Sequence, residues 1–246
     1  MKVFFTIIFI FLLIGCGKGP SGPTGPQGQS GTATTSFQAE FEQSEYPDSG
    51  YAGVDTHWLD GSNPNTASGT GEIEVATGAT TSNVDLGLVR FDLSYGIPAN
   101  ANITAASLQL TTETNNISGT YVFGVHQMIQ PPAGQVPWND SSTWNVLVIP
   151  YGWDGGTNSA ITSGVDYNST PMDAVTVTAA QVNSVLLSWN ITPSLAQVWI
   201  NAANNNYGML ISPESETNGT SSSISFWDNT GNSQQKPKML VEYTIP

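Results

Sequence analysis

The chain is 246 residues long and carries 5 Lys and Arg against 19 Asp and Glu, a formal net charge of −14. Arg90, Lys236 and Lys238 are its only basic side chains beyond residue 36. That excludes a cationic groove tracking a phosphate backbone and a basic patch docking on anionic lipid. Hydrophobic residues make up 39% and tryptophan occurs seven times, enough apolar surface for a folded core.

Met1-Lys2 precedes an apolar run from Val3 to Ile14 and then Gly15-Cys16. One positive charge, a short hydrophobic stretch and a small residue at the cut describe a secretory leader over residues 1–15, too short for a comfortable membrane span. The run Leu13-Ile14-Gly15-Cys16 resembles the lipobox of bacterial lipoproteins, in which the cysteine becomes the lipidated first residue. Cys16 is the single cysteine of the chain. The resemblance implies a protein secreted and held at the cell envelope by lipid on Cys16 alone. Residues 16–36 follow as a distinct segment, in which Gly19, Gly22, Gly25, Gly28 and Gly31 recur at every third position, with Pro20, Pro23 and Pro26 after three of them. Only glycine fits the axis of a collagen triple helix, so this stretch reads either as a stalk forming a homotrimer or as an extended polar spacer.

From Phe37 onward short apolar alternations are separated by Gly, Asn, Ser, Thr and Pro. Phe37, Ala39 and Phe41 alternate, as do Ile73 and Val75, the residues 86–93, Leu108 and Leu110, and Tyr121, Phe123 and Val125. Further runs follow at Val175 and Val177, Val185 to Trp189, Met209 to Ile211, Ile224 to Trp227 and Met239 to Tyr243. Period-two alternation bounded by turn residues is the signal of strands, and about ten such strands predict one all-β domain over 37–246, a two-sheet antiparallel sandwich. One short helix is expected after Thr192-Pro193, with an apolar stripe of Leu195, Val198, Trp199 and Ala202, ending at Asn204-Asn205-Asn206. Long connections are expected at 59–71, 130–142 and 150–173, and long loops in a compact domain are where function concentrates.

Five blocks in order resemble the DNRLRE family, also called carbohydrate-binding module family 96. They are Gly50 to Asn65 with its Asp55-Thr-His-Trp-Leu-Asp60 run; Leu88-Val-Arg90-Phe91-Asp92 with Ile97-Pro98 and Ile103 to Leu110; Pro137-Trp138 through Trp144; Ser188 to Trp199 with Asn206-Tyr207-Gly208; and Lys236 to Tyr243. The resemblance spans residues 37–246 and implies a jelly-roll-like β-sandwich of carbohydrate-active or surface proteins.

Asp55, Asp60, Asn63 and Asn65 lie within eleven residues in a Gly/Asn-rich segment. Calcium takes six to eight oxygens from carboxylates, amides and carbonyls, so this set is a candidate structural calcium site, or else a turn satisfying its own backbone. Arg90, alone among apolar neighbours, is expected to pair with Asp55 or Asp92 in a structural role. Sugar rings have an apolar C–H face that lies on aromatic rings while hydroxyls find polar groups. Trp138, Tyr151 and Trp153 on the long loops are therefore the expected platform, with Asp154 and Asn158 as hydrogen-bonding partners; a loop plug is the other reading. Trp189, Trp199 and Trp227 are expected in the core, and Trp144 with them. His57 and His126 have no evident partner, and Glu72 and Glu74 are expected to face solvent. No nucleophile or metal-protease motif is present. The reading that results is a non-catalytic surface lipoprotein binding a polysaccharide or cell-surface glycan. An adhesive protein with a protein partner and a polysaccharide-degrading enzyme stand as the alternatives.

Overall fold

The computed structural model describes residues 35–78, 80, 83–132, 137–153, 159–181, 183–215, 220–231 and 234–246. Cys16, the glycine-repeat stretch, Asp154 and Asn158 lie outside these residues. In chain order the strands are β1 (Ser36–Glu42), β2 (Val54–Asp60), β3 (Glu72–Thr77), β4 (Asp85–Phe91), β5 (Asn102–Asn115), β6 (Thr120–Gln127), β7 (Asp173–Thr178) and β8 (Leu186–Ile191). Helix α1 (Pro193–Asn201) and a 3₁₀ turn (Ala203–Asn205) precede β9 (Met209–Pro213), β10 (Ser222–Trp227) and β11 (Lys238–Thr244).

All these strands pair antiparallel. One layer runs β1-β11-β5-β8. The other runs β7-β6-β9-β4-β2, and β3 touches β4 at Ala76–Asp85 before pairing along β10. β5 belongs to both. Asn102–Thr111 pairs with β11 and β8, while Thr112–Asn115 pairs with β10, so one long strand curls the first layer into the second. The all-β, sandwich-like class read from the sequence is therefore present.

Alternation places the core where the pattern is clean. In β8, Leu187, Trp189 and Ile191 point inward while Leu186, Ser188 and Asn190 stay exposed. The register of β5 shifts opposite Glu242/Tyr243, and this bulge changes the parity of the strand. Ile103 and the series Ala106, Leu108, Leu110 can then all enter the same core.

β4 breaks the alternation. Gly87, Val89 and Phe91 face the main core, with the Gly87 backbone against Ile73, Val75 and Ile211. Leu86 and Leu88, on the opposite face, belong to a second apolar cluster with Leu59, Leu210, Met128, Leu147, Trp138 and Trp153. A strand buried on both sides reads as a continuous apolar run, as residues 86–89 do. Met128, Trp138, Leu147, Trp153, Ile161 and Tyr167 supply the cover for this outer face.

Helix α1 begins after Thr192, as expected, although the Thr192 side chain makes no capping hydrogen bond. Its buried face differs from the expected stripe. Ala196, Trp199 and Ile200 are buried, Leu195 packs partly against the core, and Val198 is exposed. The spacing of three and four holds, but the face is rotated toward Ala196 and Ile200.

Candidate functional site

The second cluster corrects the expected sugar platform. Trp138 and Trp153 are only 1% and 2% exposed. Each indole N–H is satisfied internally, Trp138 Nε1 donating to the Tyr207 carbonyl at 2.9 Å and Trp153 Nε1 to the Thr143 carbonyl at 2.8 Å. The reason lies beneath them. Leu59, Leu86, Leu88 and Leu210 form an apolar outer face that must be removed from water, and the two largest side chains available do this. Tyr151 is 44% exposed, so the expected trio does not form one platform. Trp189 and Trp199 are core residues as expected, whereas Trp144 and Trp227 are half-buried.

Of the four candidate calcium ligands, Asp60 and Asn63 lie together, whereas Asp55 and the Asn65 side chain have other partners. Asp55 lies within β2 and Asp60 at its end, not in a common turn. Five steps along the strand separate them by roughly 16–17 Å and place them on opposite faces. Asp55 pairs with Arg90. Asp60 closes its own turn, accepting the N–H of Ser62 at 2.7 Å and of Asn63 at 3.0 Å, and the Asn63 amide at 2.6 Å. The Asn65 side-chain oxygen accepts from Asn145 at 3.0 Å. Among the described residues no three acidic, histidine or cysteine side chains assemble as metal ligands.

The Arg90–Asp55 pair is formed as expected. Strand register sets Asp55 directly across from Arg90. Arg90 Nε and Nη2 both donate to Asp55 Oδ2, at 2.8 and 2.5 Å, which leaves Asp55 Oδ1 and Arg90 Nη1 outside the pair. The guanidinium carbon lies 5.1 Å from the centroid of a Trp138 ring, a cation–π contact that fixes the arginine from below. Both partners retain solvent exposure.

This pair forms one wall of a concavity of about 530 Å³, which also meets Asp92, Pro137, Asn204, Asn206 and Tyr207. Asn206 is buried and is part of the lining. Its amide donates to the Phe91 carbonyl at 2.6 Å, and its oxygen accepts the Gly208 N–H at 3.0 Å. Gly208 has φ +85°, and a Cβ there would lie 2.8 Å from the Val89 carbonyl oxygen and 3.3 Å from Trp138. Only glycine lets the chain carry Tyr207 so close to β4. Tyr51 ties the walls together, its hydroxyl within 3.0 Å of the Asp92 carbonyl and 3.2 Å of that of Gly53. Burial, then the nearby Asp92 and Asp55, push this phenol well above its ordinary range. Four of the five blocks named above thus converge here, through Asp55, Arg90, Pro137 and Tyr207. The loop-centred reading passed over Tyr207, Asn204 and Asn206; the Asn-Tyr-Gly tripeptide was the available signal.

A second concavity of about 290 Å³ is lined by Glu74, Asp85, Asn83, Asn116 and several serines. Glu72 and Glu74, expected to face solvent, are half-buried. Burial is the main force raising Glu74, and it raises Asp85 to about 7, with Glu74 and Asp60 adding repulsion against the opposing Gly61 hydrogen bond. The two histidines also have partners. His57 Nε2 donates to the Ser142 carbonyl at 2.8 Å, and burial holds its pKa below the ordinary value. His126 Nδ1 donates to the Asn168 carbonyl at 2.8 Å, with Ser212 Oγ 3.1 Å from Nε2. No family model matches the chain, and no curated protein matches it.

Proposed function

We propose that the chain is a carbohydrate-binding surface lipoprotein, tethered through Cys16, whose ligand lies in the cleft between the Arg90–Asp55 pair and Tyr207. The observation that carries this reading is the chemistry of that one concavity. A saccharide presents an apolar C–H face and a rim of hydroxyls that donate and accept at once. Half-buried Tyr207 offers ring surface. Asp55 Oδ1 accepts, Arg90 Nη1 donates, and the Asn204 amide does both. With one arginine against Asp55 and Asp92, the cleft has excess negative charge and disfavours uronates, which leaves neutral sugars. The ordered resemblance to carbohydrate-binding module family 96 supports the same class. Many lipid-anchored copies on one surface would raise weak single-site affinity by multivalency.

The test is a glycan array probed with the full chain in detergent, beside Tyr207→Ala and Asn204→Ala. Retention by one or more neutral glycans, reduced in both variants, is expected. No retention of the wild type, or equal retention by all three proteins, refutes the reading.

A further inference from the structure

Beyond the cleft, a groove of about 370 Å³ runs along the free edge of β1, lined by Gln38, Glu40, Tyr46, Pro47, Gly96 and Tyr243. Three aromatic rings in this region meet solvent although the core could have hidden them. Tyr46 is 46% exposed, Tyr95 49% and Phe37 40%. Phe37 continues the inward-facing series Phe41, Ala39 beyond the end of the core and stacks on Tyr243, with centroids 5.5 Å apart and planes at 21°. Tyr95 is pinned by its hydroxyl donating to Asp48 Oδ2 at 2.6 Å and lies against Tyr51. The Phe37 and Tyr95 rings are thus held before any ligand arrives.

The polar side of the groove suits hydroxyls and not a charge. Glu40 shares Lys238 with Glu42, at 3.1 and 2.7 Å, so two carboxylates meet one ammonium and the groove disfavours an anion. Gln38 adds an amide that donates and accepts. Among the described strands β1 pairs only with β11, apart from an isolated bridge of Glu42 to Tyr46, and an edge strand directs half of its peptide groups away from its neighbour. Ring faces beside amide and peptide groups, with a residual negative charge that repels anions, are the recognition chemistry of a neutral sugar.

Position joins this groove to the cleft. Asp92 lines the cleft and Gly96 the groove, and four residues of chain reach at most ~14 Å. The 47–53 segment bridges the same interval, with Tyr51 bonded to the backbone of Gly53 and Asp92. Both concavities therefore flank a single ridge at one end of the sandwich.

We infer that the Tyr46–Tyr243 groove is a second saccharide subsite, extending the Arg90 cleft so that one neutral glycan chain occupies both. This rests on the glycan reading of the cleft and adds to it a chain-length requirement.

The experiment titrates the full chain in detergent with β-1,4-linked glucose, mannose and xylose oligomers from monosaccharide to hexasaccharide. Wild type, Tyr46→Ala, Tyr46→Phe and Tyr207→Ala are compared. Covering roughly 50–60 Å² of ring surface corresponds to about tenfold in affinity. Tyr46→Ala is expected to weaken the hexasaccharide about tenfold, Tyr46→Phe to restore it, and the shortest sugar that binds to be unaffected by either. Unchanged affinity of Tyr46→Ala at every length, with Tyr207→Ala impaired, overturns the second subsite and leaves the cleft standing. Equal loss at every length overturns the extension as well. Failure of the wild type to bind any of the three series removes the premise together with the inference.

Discussion

Replacing Asp85 by asparagine isolates a single buried charge. Asp85 opens β4, opposite Asp60 on β2 and Ala76 on β3, and Oδ1 accepts the Gly61 N–H at 3.1 Å. Asparagine keeps that acceptor and the side-chain shape while abolishing titration. Burial first, then Glu74 and Asp60, raise the carboxyl from 3.8 to about 7, against the lowering effect of Gly61. In the unfolded chain it ionises near its ordinary value. Between those two pH values the folded state holds a proton that the unfolded state has released. Stability is therefore undiminished below about pH 4, falls as pH rises through the window, and is lowest above 7. At 1.36 kcal/mol per pH unit the full effect is about 4 kcal/mol, and solvent reaching the half-buried carboxyl screens it to ~2 kcal/mol. Urea unfolding of the chain from residue 35, followed by tryptophan fluorescence, measures it. The Asp85→Asn variant should match the wild type at pH 4 and exceed it by ~2 kcal/mol at pH 8. An equal difference at both pH values, or none at pH 8, refutes the assignment of a raised carboxyl.

Trp153→Ala empties a fully buried site and leaves the Thr143 carbonyl without its donor, so a loss of ~3–5 kcal/mol in urea unfolding is expected. The molecules that remain folded should retain glycans as the wild type does; lost retention at full stability would return Trp153 to the role of platform. Gly208→Ala forces a Cβ to within 2.8 Å of the Val89 oxygen at φ +85° and should lower stability by at least ~2 kcal/mol, with a matching fall in melting temperature. Lys238→Met strands buried Glu42, whose partner it is at 2.7 Å, at a cost of ~3–5 kcal/mol near pH 8. Burial already raises the Glu42 carboxyl, so protonation should recover most of that loss by pH 4. A loss that does not change with pH would show that packing of the lysine stem, not charge, is responsible.

Local pattern was sufficient wherever one face of an element meets the core and the other meets water. Leu187, Trp189 and Ile191 announce β8 by alternation alone, and Thr192-Pro193 marks the start of α1, because strand pleat and helix entry depend on near neighbours. The Arg90–Asp55 pair was also legible, since a lone arginine among apolar residues needs an anion. The fate of the loop tryptophans was not legible from the loops themselves. It depended on whether Leu59, Leu86, Leu88 and Leu210, from three different strands, would share an outer face that needed cover. The apolar run 86–89 carried that information, but it was read as period-two alternation.

Sequence by itself determined the antiparallel all-β class, most strand positions, the single helix and the exclusion of phosphate-tracking surfaces, because alternation and net charge are properties of adjacent residues and of composition. Tertiary structure alone decided that Trp138 and Trp153 are buried, that Asp55 and Asp60 point apart, and that Asp55, Arg90, Pro137, Asn204 and Tyr207 share one cleft. Those residues are separated by up to 152 positions, counting from Asp55 to Tyr207. What joins them is strand register and the layer covering β4, which no local window contains.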